Sequence, residues 1–366
     1  MGMSSWERVA LLALIVVIVT TAVFLVGTER LRLRRLALAT AALTFGLVTF
    51  GAYVRLSDAG LGCPDWPGCY GRFTPAQSAA VIGAEQARVP QGPVSLPKAW
   101  KEMLHRYVAL VDGCLIVTLL IAALRLRQRF ETAPWIAAAV LAVVILQALL
   151  GALTVTLALT PAIVTLHLLG GLTTLWLLIW YAQRIAVPAA RNQRVARLKP
   201  LALAAAAALL VQVALGGWVS ANYAGAACAD LPWCQQQLLP PTDFGAGFNP
   251  LRALGRTAGG DYLPLAALTA IHLAHRGFAL VALAALAALA WRCWRAPGMR
   301  GLGAGLAALL AVQVALGLAI VASMSARLLD LGQQLPVAAA HNAGAAALVA
   351  TLAVINFRAS TAGRSS

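Results

Sequence analysis

Two stretches of sequence decide the architecture: GAYVRLSDAGLGCPDWPGC at residues 51–69 and GGWVSANYAGAACADLPWC at residues 216–234. They align without a gap, and the shared positions carry glycine, cysteine, aspartate and proline. Two alanine-rich segments do not match at such residues by chance, so the second half of the chain repeats the first. The matched positions are Gly51, Gly60, Cys63, Asp65, Pro67 and Cys69 with Gly216, Gly225, Cys228, Asp230, Pro232 and Cys234, all at an offset of 165.

Composition indicates the setting of this repeat. The chain has 366 residues, of which 61% are hydrophobic and 11% charged, whereas soluble domains carry about 25% charged residues. A soluble enzyme, a disordered chain and a disulfide-rich secreted module are therefore excluded. The net charge of +16 comes from short arginine clusters between apolar runs. Such clusters are typical of membrane topology signals, and no nucleic-acid partner is expected.

Nine apolar segments are long enough to cross a bilayer, which takes about 20 residues. Short basic connections between them alternate with long Pro/Gly-rich ones at residues 55–101 and 221–262. The positive-inside rule places the basic connections and the C-terminus in the cytoplasm and the cysteine-containing loops outside. The predicted spans are Val9–Gly27, Leu36–Val54, Glu102–Leu124, Pro134–Leu157, Ile163–Gln183, Pro200–Ser220, Leu263–Ala290, Gly301–Val321 and Val337–Ile355.

The spans and the repeat together predict an all-α polytopic membrane protein. Both copies of the repeat start from the cytoplasmic side, so they are parallel and related by an axis along the membrane normal. We expect two pseudo-symmetric four-helix bundles, at residues 36–199 and 200–366. An extra N-terminal transmembrane helix and a basic cytoplasmic loop, residues 1–35, precede them.

Four of the five histidines follow the repeat: His105 pairs with His275, and His167 with His341. Ionisable groups at membrane depth are rare and are functional candidates by default. Two imidazoles that face each other across a four-helix bundle suit the axial positions of a haem iron. Zinc usually requires a third ligand, which does not repeat here. Each half is therefore predicted to hold one haem.

The two halves differ beside these histidines. Glu102 precedes His105 by one helical turn, and the equivalent residue before His275 is His272. A carboxylate at one site alone suggests that one half performs chemistry and the other holds an electron-transfer cofactor. A charge favoured by the helix terminus is the alternative interpretation of this residue.

Basic and sulfur-containing residues also follow the repeat. Arg106 and Arg276 come directly after their histidines and are candidates for pairing with haem propionates or for anchoring lipid headgroups. The cysteine pairs lie in the predicted outer loops, where a disulfide in each loop is the simplest interpretation and a metal site is the alternative. The pairs are Cys63–Cys69 and Cys228–Cys234.

In combination these motifs resemble the haem A synthase family. The resemblance covers about residues 36–357 and includes the 51–69 stretch, Glu102-x-x-His105-Arg106, His167, His275-Arg276 and His341. It implies an oxidoreductase that converts the C8 methyl group of haem O to a formyl group, giving haem A for terminal oxidase assembly. Water is the expected source of the oxygen atom.

The resemblance also implies roles for individual residues. His105 and His167 would hold the substrate haem O in the N-terminal bundle, with Glu102 as the catalytic residue. His275 and His341 would hold a haem b cofactor in the C-terminal bundle. The implied location is a bacterial cytoplasmic (inner) membrane. The expected partners are haem O, membrane lipid and, as candidates, haem O synthase, an electron acceptor and a second copy of the chain.

Two other functions are compatible with the histidines. A bis-His dihaem cytochrome would carry electrons between quinol and an outer partner, but it does not explain the carboxylate in one half alone. A transporter built from parallel repeats would have charged or broken helices at mid-membrane, where the predicted helices are nearly free of charge.

Overall fold

Among the residues that the structure describes, eight helices are long and apolar enough to span a membrane. The structure is a computed structural model that describes residues 27–186, 192–257, 259–325 and 331–363. No β-strand occurs within those ranges, which confirms the all-α polytopic class. The eight helices are α1 (Glu29–Leu56), α3 (Leu96–Leu126), α4 (Pro134–Thr156), α5 (Pro161–Ile185), α7 (Lys199–Ala221), α9 (Leu265–Arg295), α10 (Arg300–Ser325) and α11 (Leu331–Thr361).

Shorter helices occupy the connections. They are α2 (Ala79–Arg88), α6 (Gln193–Ala196), α8 (Phe244–Gly247) and two 3-10 turns, Pro75–Ser78 and Ala224–Cys228. The predicted first span, Val9–Gly27, lies outside the described residues except for Gly27.

The helices begin at proline or hydroxyl signals and extend beyond the predicted apolar spans. Proline stands in the first turn of α3, α4, α5 and α7, where its missing N–H is not needed. Thr28 caps α1 by accepting a hydrogen bond from Leu31 N. This helix starts seven residues before the predicted Leu36 and includes the arginine cluster. Long arginine side chains can continue a helix past the apolar region because their charged ends reach the interface.

The membrane-spanning helices pack in two rings. In the N-terminal ring, α1 and α4 each pack against both α3 and α5. In the C-terminal ring, α7 and α10 each pack against both α9 and α11. The rings meet where α11 contacts α1 and α5, and where α5 contacts α7. In each ring the two histidine-bearing helices, α3 with α5 and α9 with α11, therefore stand on opposite sides.

The two cysteine loops have the same internal structure. Disulfides join Cys63 to Cys69 and Cys228 to Cys234, as predicted. In the second loop the carboxylate of Asp230 accepts hydrogen bonds from the backbone N–H groups of Gln235 and Gln236 at 2.8 and 2.7 Å. The N–H of Gln236 contributes most to lowering the pKa of Asp230, because it favours the ionised carboxylate. Asp65 accepts the matching pair of bonds in the first loop. We call the end of each ring that carries these loops the loop end.

The long connection before α3 covers the first cysteine loop. Ile82 of α2 is fully buried and packs in one apolar cluster with the disulfide and Met103. Ser78 Oγ donates a hydrogen bond to Cys69 O at 2.9 Å. This connection thus forms a small cap over the loop end of the N-terminal ring.

Glycines allow the helix backbones to approach closely in the C-terminal ring. A Cβ atom added at Gly303 of α10 would lie 2.5 Å from the backbone N of Trp294 and 2.7 Å from Ala290 O, both in α9. A Cβ at Gly305, half a turn further along α10, would have no atom within 4 Å. The two glycines thus differ in what they face: Gly303 faces the backbone of α9, and Gly305 faces open space.

This difference predicts opposite effects of alanine at the two glycines. Gly303→Ala should destabilise the folded protein by about 1–3 kcal/mol, because α9 and α10 must move apart. Gly305→Ala should be neutral or slightly stabilising, since alanine is the better helix former. Thermal unfolding of the detergent-solubilised protein checks both variants. Equal Tm values for the two would contradict the packing described here.

Candidate functional site

A cavity of about 1250 Å³ lies inside the N-terminal ring. It exceeds the range of about 300–1,000 Å³ typical of small-ligand pockets. His105 of α3 and His167 of α5 line it from opposite sides of the ring, and Glu102 lines it nearer the loop end. Most of the remaining wall is apolar, from residues such as Leu47 and Val144. The cavity therefore has the size and polarity for a large, mostly apolar ligand.

Each histidine of the two pairs lies against a glycine on a neighbouring helix. A side chain at these positions would press on the imidazole, so glycine lets the imidazole lie close to the helix backbone. Gly51 and Gly216 are matched positions of the sequence repeat, but the sequence did not indicate that they contact the histidines. The distances from an added Cβ to Cε1 of the imidazole are 2.8 Å for Gly51 and His105, 3.4 Å for Gly151 and His167, 3.0 Å for Gly216 and His275, and 3.2 Å for Gly317 and His341.

Three of these imidazoles have a buried nitrogen without a hydrogen-bond partner among the described residues. It is Nδ1 in His105, His167 and His341. Buried polar atoms are normally paired, so the unpaired imidazoles of His105 and His167, which line the cavity, indicate a place for a ligand there. In the N-terminal ring, the donor type, the size of the cavity and the glycine contacts all fit a haem held between two imidazoles.

In the C-terminal ring a glutamine lies beside each imidazole. Gln313 Nε2 lies 3.3 Å from Nε2 of His341. Gln212 Nε2 lies 3.1 Å from Nδ1 of His275 and donates a hydrogen bond to the backbone O of the same residue at 3.2 Å. Gln212 therefore holds both the backbone and the imidazole of His275 in place.

His272, one turn before His275, is satisfied by protein groups. Its Nδ1–H donates to Ala224 O at 3.0 Å, and its Nε2 accepts from Arg276 Nε at 3.1 Å. Because both nitrogens are used, His272 is not available to a ligand. This arrangement supports the choice of His275 that the repeat indicated.

Glu102 is fixed between the cavity and the first cysteine loop. The residue is 5% exposed. Its Oε2 accepts a hydrogen bond from Cys63 N at 2.9 Å, and its Oε1 accepts one from Arg106 Nη2 at 2.5 Å. Charge-assisted bonds to both oxygens hold the carboxylate in one orientation beside the cavity.

The arginines that follow His105 and His275 anchor the cysteine loops. Arg106 Nη1 donates to Asp65 O at 2.8 Å and to Gly68 O at 2.6 Å. Arg276 Nη1 makes the equivalent bonds to Asp230 O and Trp233 O, at 3.0 and 3.1 Å. These contacts hold each loop against the helix that bears the histidine. Contact with propionates stays a prediction for both residues.

Asp112 is a cavity residue that the sequence analysis missed. It is 1% exposed, and both of its carboxylate oxygens lie near Thr44 Oγ, at 3.0 and 3.1 Å. It is thus an exception to the nearly charge-free helix interior. Its position seven residues after His105, two turns along the same helix face, was the signal that could have identified it.

Comparison with known proteins places the chain in a family. A family model described as cytochrome oxidase assembly protein matches residues 34–353. The Heme A synthase of Shewanella oneidensis is 36% identical over 320 residues, which are 87% of this chain and 94% of the relative. The chain belongs to the haem A synthase family. The match includes both helix rings.

Two further members of the family are more distant. The Heme A synthase of Symbiobacterium thermophilum is 29% identical over 237 residues, 61% of this chain and 70% of the relative. That of Caulobacter vibrioides is 28% identical over 342 residues, 87% of this chain and 93% of the relative. Membership of this family favours the enzyme over the dihaem cytochrome that shares its histidine pattern.

Proposed function

We propose that this chain oxidises the C8 methyl group of haem O to the formyl group of haem A within the membrane. The observation that carries the proposal is the large N-terminal cavity, which two opposed histidines and one buried carboxylate line. The reaction balances as R–CH3 + H2O → R–CHO + 4 H⁺ + 4 e⁻, with water as the oxygen source. The resulting haem A serves the assembly of a terminal oxidase.

The two rings divide the work as two pseudo-symmetric four-helix bundles. Residues 36–199 bind the substrate haem O through His105 and His167, and residues 200–366 bind a haem b through His275 and His341. The glycine contacts and unpaired imidazole nitrogens support both assignments. Bound haem b supplies one-electron redox chemistry. The arginine cluster at residues 30–35, expected in a cytoplasmic loop, belongs to α1.

Glu102 acts on the substrate from a fixed position. Its carboxylate stands one turn from His105, so it is close to a haem ligated there without itself being an iron ligand. A carboxylate held by Cys63 N–H and Arg106 can stabilise positive charge that develops beside the methyl group, or accept a proton from it. The apolar cavity wall strengthens either effect because it excludes water.

Basic side chains at the loop end of the cavity suit the two propionates of the substrate. Arg55, Arg72 and Arg106 all line the cavity there. Guanidinium groups bind carboxylates through paired hydrogen bonds. Arg106 already donates to the cysteine loop, and Arg55 donates to Ser220 O and Ala221 O, so Arg72 is the further candidate that the structure adds. The substrate is then oriented with its acidic edge toward the loops.

The chain resides in a bacterial cytoplasmic (inner) membrane, with the cysteine loops outside and the C-terminus in the cytoplasm. The arginines at the helix ends remote from the cysteine loops support this orientation. A haem O synthase supplies the substrate, and an external acceptor removes the electrons. Association with a second copy of the chain belongs to the same proposal.

The proposed role of Glu102 predicts loss of conversion without loss of haem. Glu102→Gln should lower the ratio of haem A to haem O in membranes by about 100-fold or more, a typical loss for one charge-stabilising group. Glutamine keeps an acceptor for Cys63 N–H but removes the charge beside Arg106. The haem b content of the purified protein should stay normal, since both histidine pairs remain.

A matched variant controls this measurement. Glu85→Gln also removes a glutamate paired with an arginine, but on exposed helix α2, and should leave the ratio unchanged. Near-normal haem A in Glu102→Gln would remove the residue from the mechanism. It would then be a structural link between α3 and the first cysteine loop.

The choice between His275 and His272 predicts two different spectra. His275→Ala should abolish the low-spin haem b spectrum of the purified protein, because an axial ligand is lost. His272→Ala should retain that spectrum, since His272 bonds only to Ala224 O and Arg276. Loss of haem b in His272→Ala with a normal spectrum in His275→Ala would reverse the assignment.

A further inference from the structure

Three buried polar side chains line the cavity at the end remote from the loops. They are Thr44 of α1, Asp112 of α3 and Thr174 of α5. Asp112 and Thr174 each lie seven residues beyond the histidine of their own helix. Seven residues correspond to about 10 Å along a helix. This distance is comparable with the radius of a substituted porphyrin, so a haem held by the histidines presents one edge to this group.

The hydrogen-bonding capacity of this group is not filled by protein. Thr44 Oγ lies 2.9 Å from Thr40 O as well as near both oxygens of Asp112, and a hydroxyl has one hydrogen to donate. Thr174 Oγ donates to Gly170 O at 3.0 Å, which leaves its oxygen able to accept. An ionised carboxylate accepts about four hydrogen bonds. None of the ion pairs between described residues includes Asp112.

The C-terminal ring has no such group at the equivalent positions. By the offsets of the repeat, Thr44 corresponds to Leu209, Asp112 to Ala282 and Thr174 to Leu348. All three C-terminal residues are buried. Fold symmetry therefore does not require polar side chains here. A buried polar group in a membrane interior is costly, which makes it a functional candidate in the ring that has it.

We propose that Asp112, supported by Thr44 and Thr174, binds the alcohol hydroxyl of the isoprenoid side chain of haem O. This inference rests on the proposed function. Haem O carries a hydroxyalkyl chain where haem B carries a vinyl group. Its other polar groups are two propionates, which a carboxylate would repel and which the arginines at the loop end suit. A neutral hydroxyl can donate a hydrogen bond to the carboxylate of Asp112 without charge repulsion.

The same contact explains how the two rings take different haems. In the N-terminal ring, a haem without the hydroxyl would leave the buried carboxylate of Asp112 with only Thr44 Oγ as a donor among the described residues, and such under-satisfied groups give strong discrimination. In the C-terminal ring, Leu209, Ala282 and Leu348 suit the vinyl edge of haem B. Asp112 is thus a specificity-determining residue of the substrate site.

The test compares the affinity of the N-terminal site for haem O and haem B. Protein purified from cells without haem O synthesis is titrated with each haem, and its resident haem b serves as the folding check. The wild type should prefer haem O. Asp112→Ala, which introduces the residue of the C-terminal ring, should reduce that preference by about tenfold or more, the loss expected for one hydrogen bond to a charged group.

Three further variants sharpen the result. Asp112→Asn should keep most of the preference, because an amide still pairs with a hydroxyl. Thr44→Val should reduce it by a smaller factor. Thr49→Val is the matched control, since this hydroxyl bonds within its own helix to Phe45 O, and should leave the preference unchanged.

The outcomes separate this inference from the proposed function. An unchanged preference in Asp112→Ala, with haem O still bound, overturns the hydroxyl site and leaves the function intact. If Asp112→Ala loses its haem b, it fails the folding check and Thr44→Val takes its place in the test. An unchanged preference for haem O in Thr44→Val then overturns the hydroxyl site. A wild type that binds no haem O in the N-terminal ring contradicts the proposed function itself.

Discussion

Close contact between an imidazole and a helix backbone is the constraint on which the site depends. In each ring, two histidines on opposite helices lie against glycines of the helices between them. A methyl group at Gly51 would come within 2.8 Å of His105 Cε1, so the imidazole would have to move. The glycines thus keep each imidazole against a helix backbone without occupying the space between the two imidazoles of a pair.

The repeat supplies this frame twice, and the two copies differ beside the histidines. Glu102 is replaced by His272, and the polar group around Asp112 is replaced by Leu209, Ala282 and Leu348. Both replacements remove a carboxylate from the neighbourhood of a histidine pair. This difference supports the proposal that the first copy performs chemistry on a polar substrate and that the second holds a cofactor with an apolar edge.

Sequence alone predicts much of this arrangement because its signals are local or periodic. Apolar length located the eight described spans, and the repeat paired His105 with His275 and the cysteines with each other. The contacts of Glu102 with Cys63 N, and of Arg106 with the loop carbonyls, join segments about 40 residues apart in the chain. No periodicity encodes such contacts. Asp112 was missed because this acid has no counterpart in the second copy of the repeat, and its one sequence signal is the seven-residue spacing from His105.

The haem content of the purified protein shows whether the two histidine pairs hold two chemically different haems. Extraction from cells that make haem O, followed by mass analysis, should give one haem B and one haem O or haem A per chain. His167→Ala should lose the haem O or haem A and keep the haem B. Haem B alone in the wild-type protein would contradict the account and favour an electron carrier.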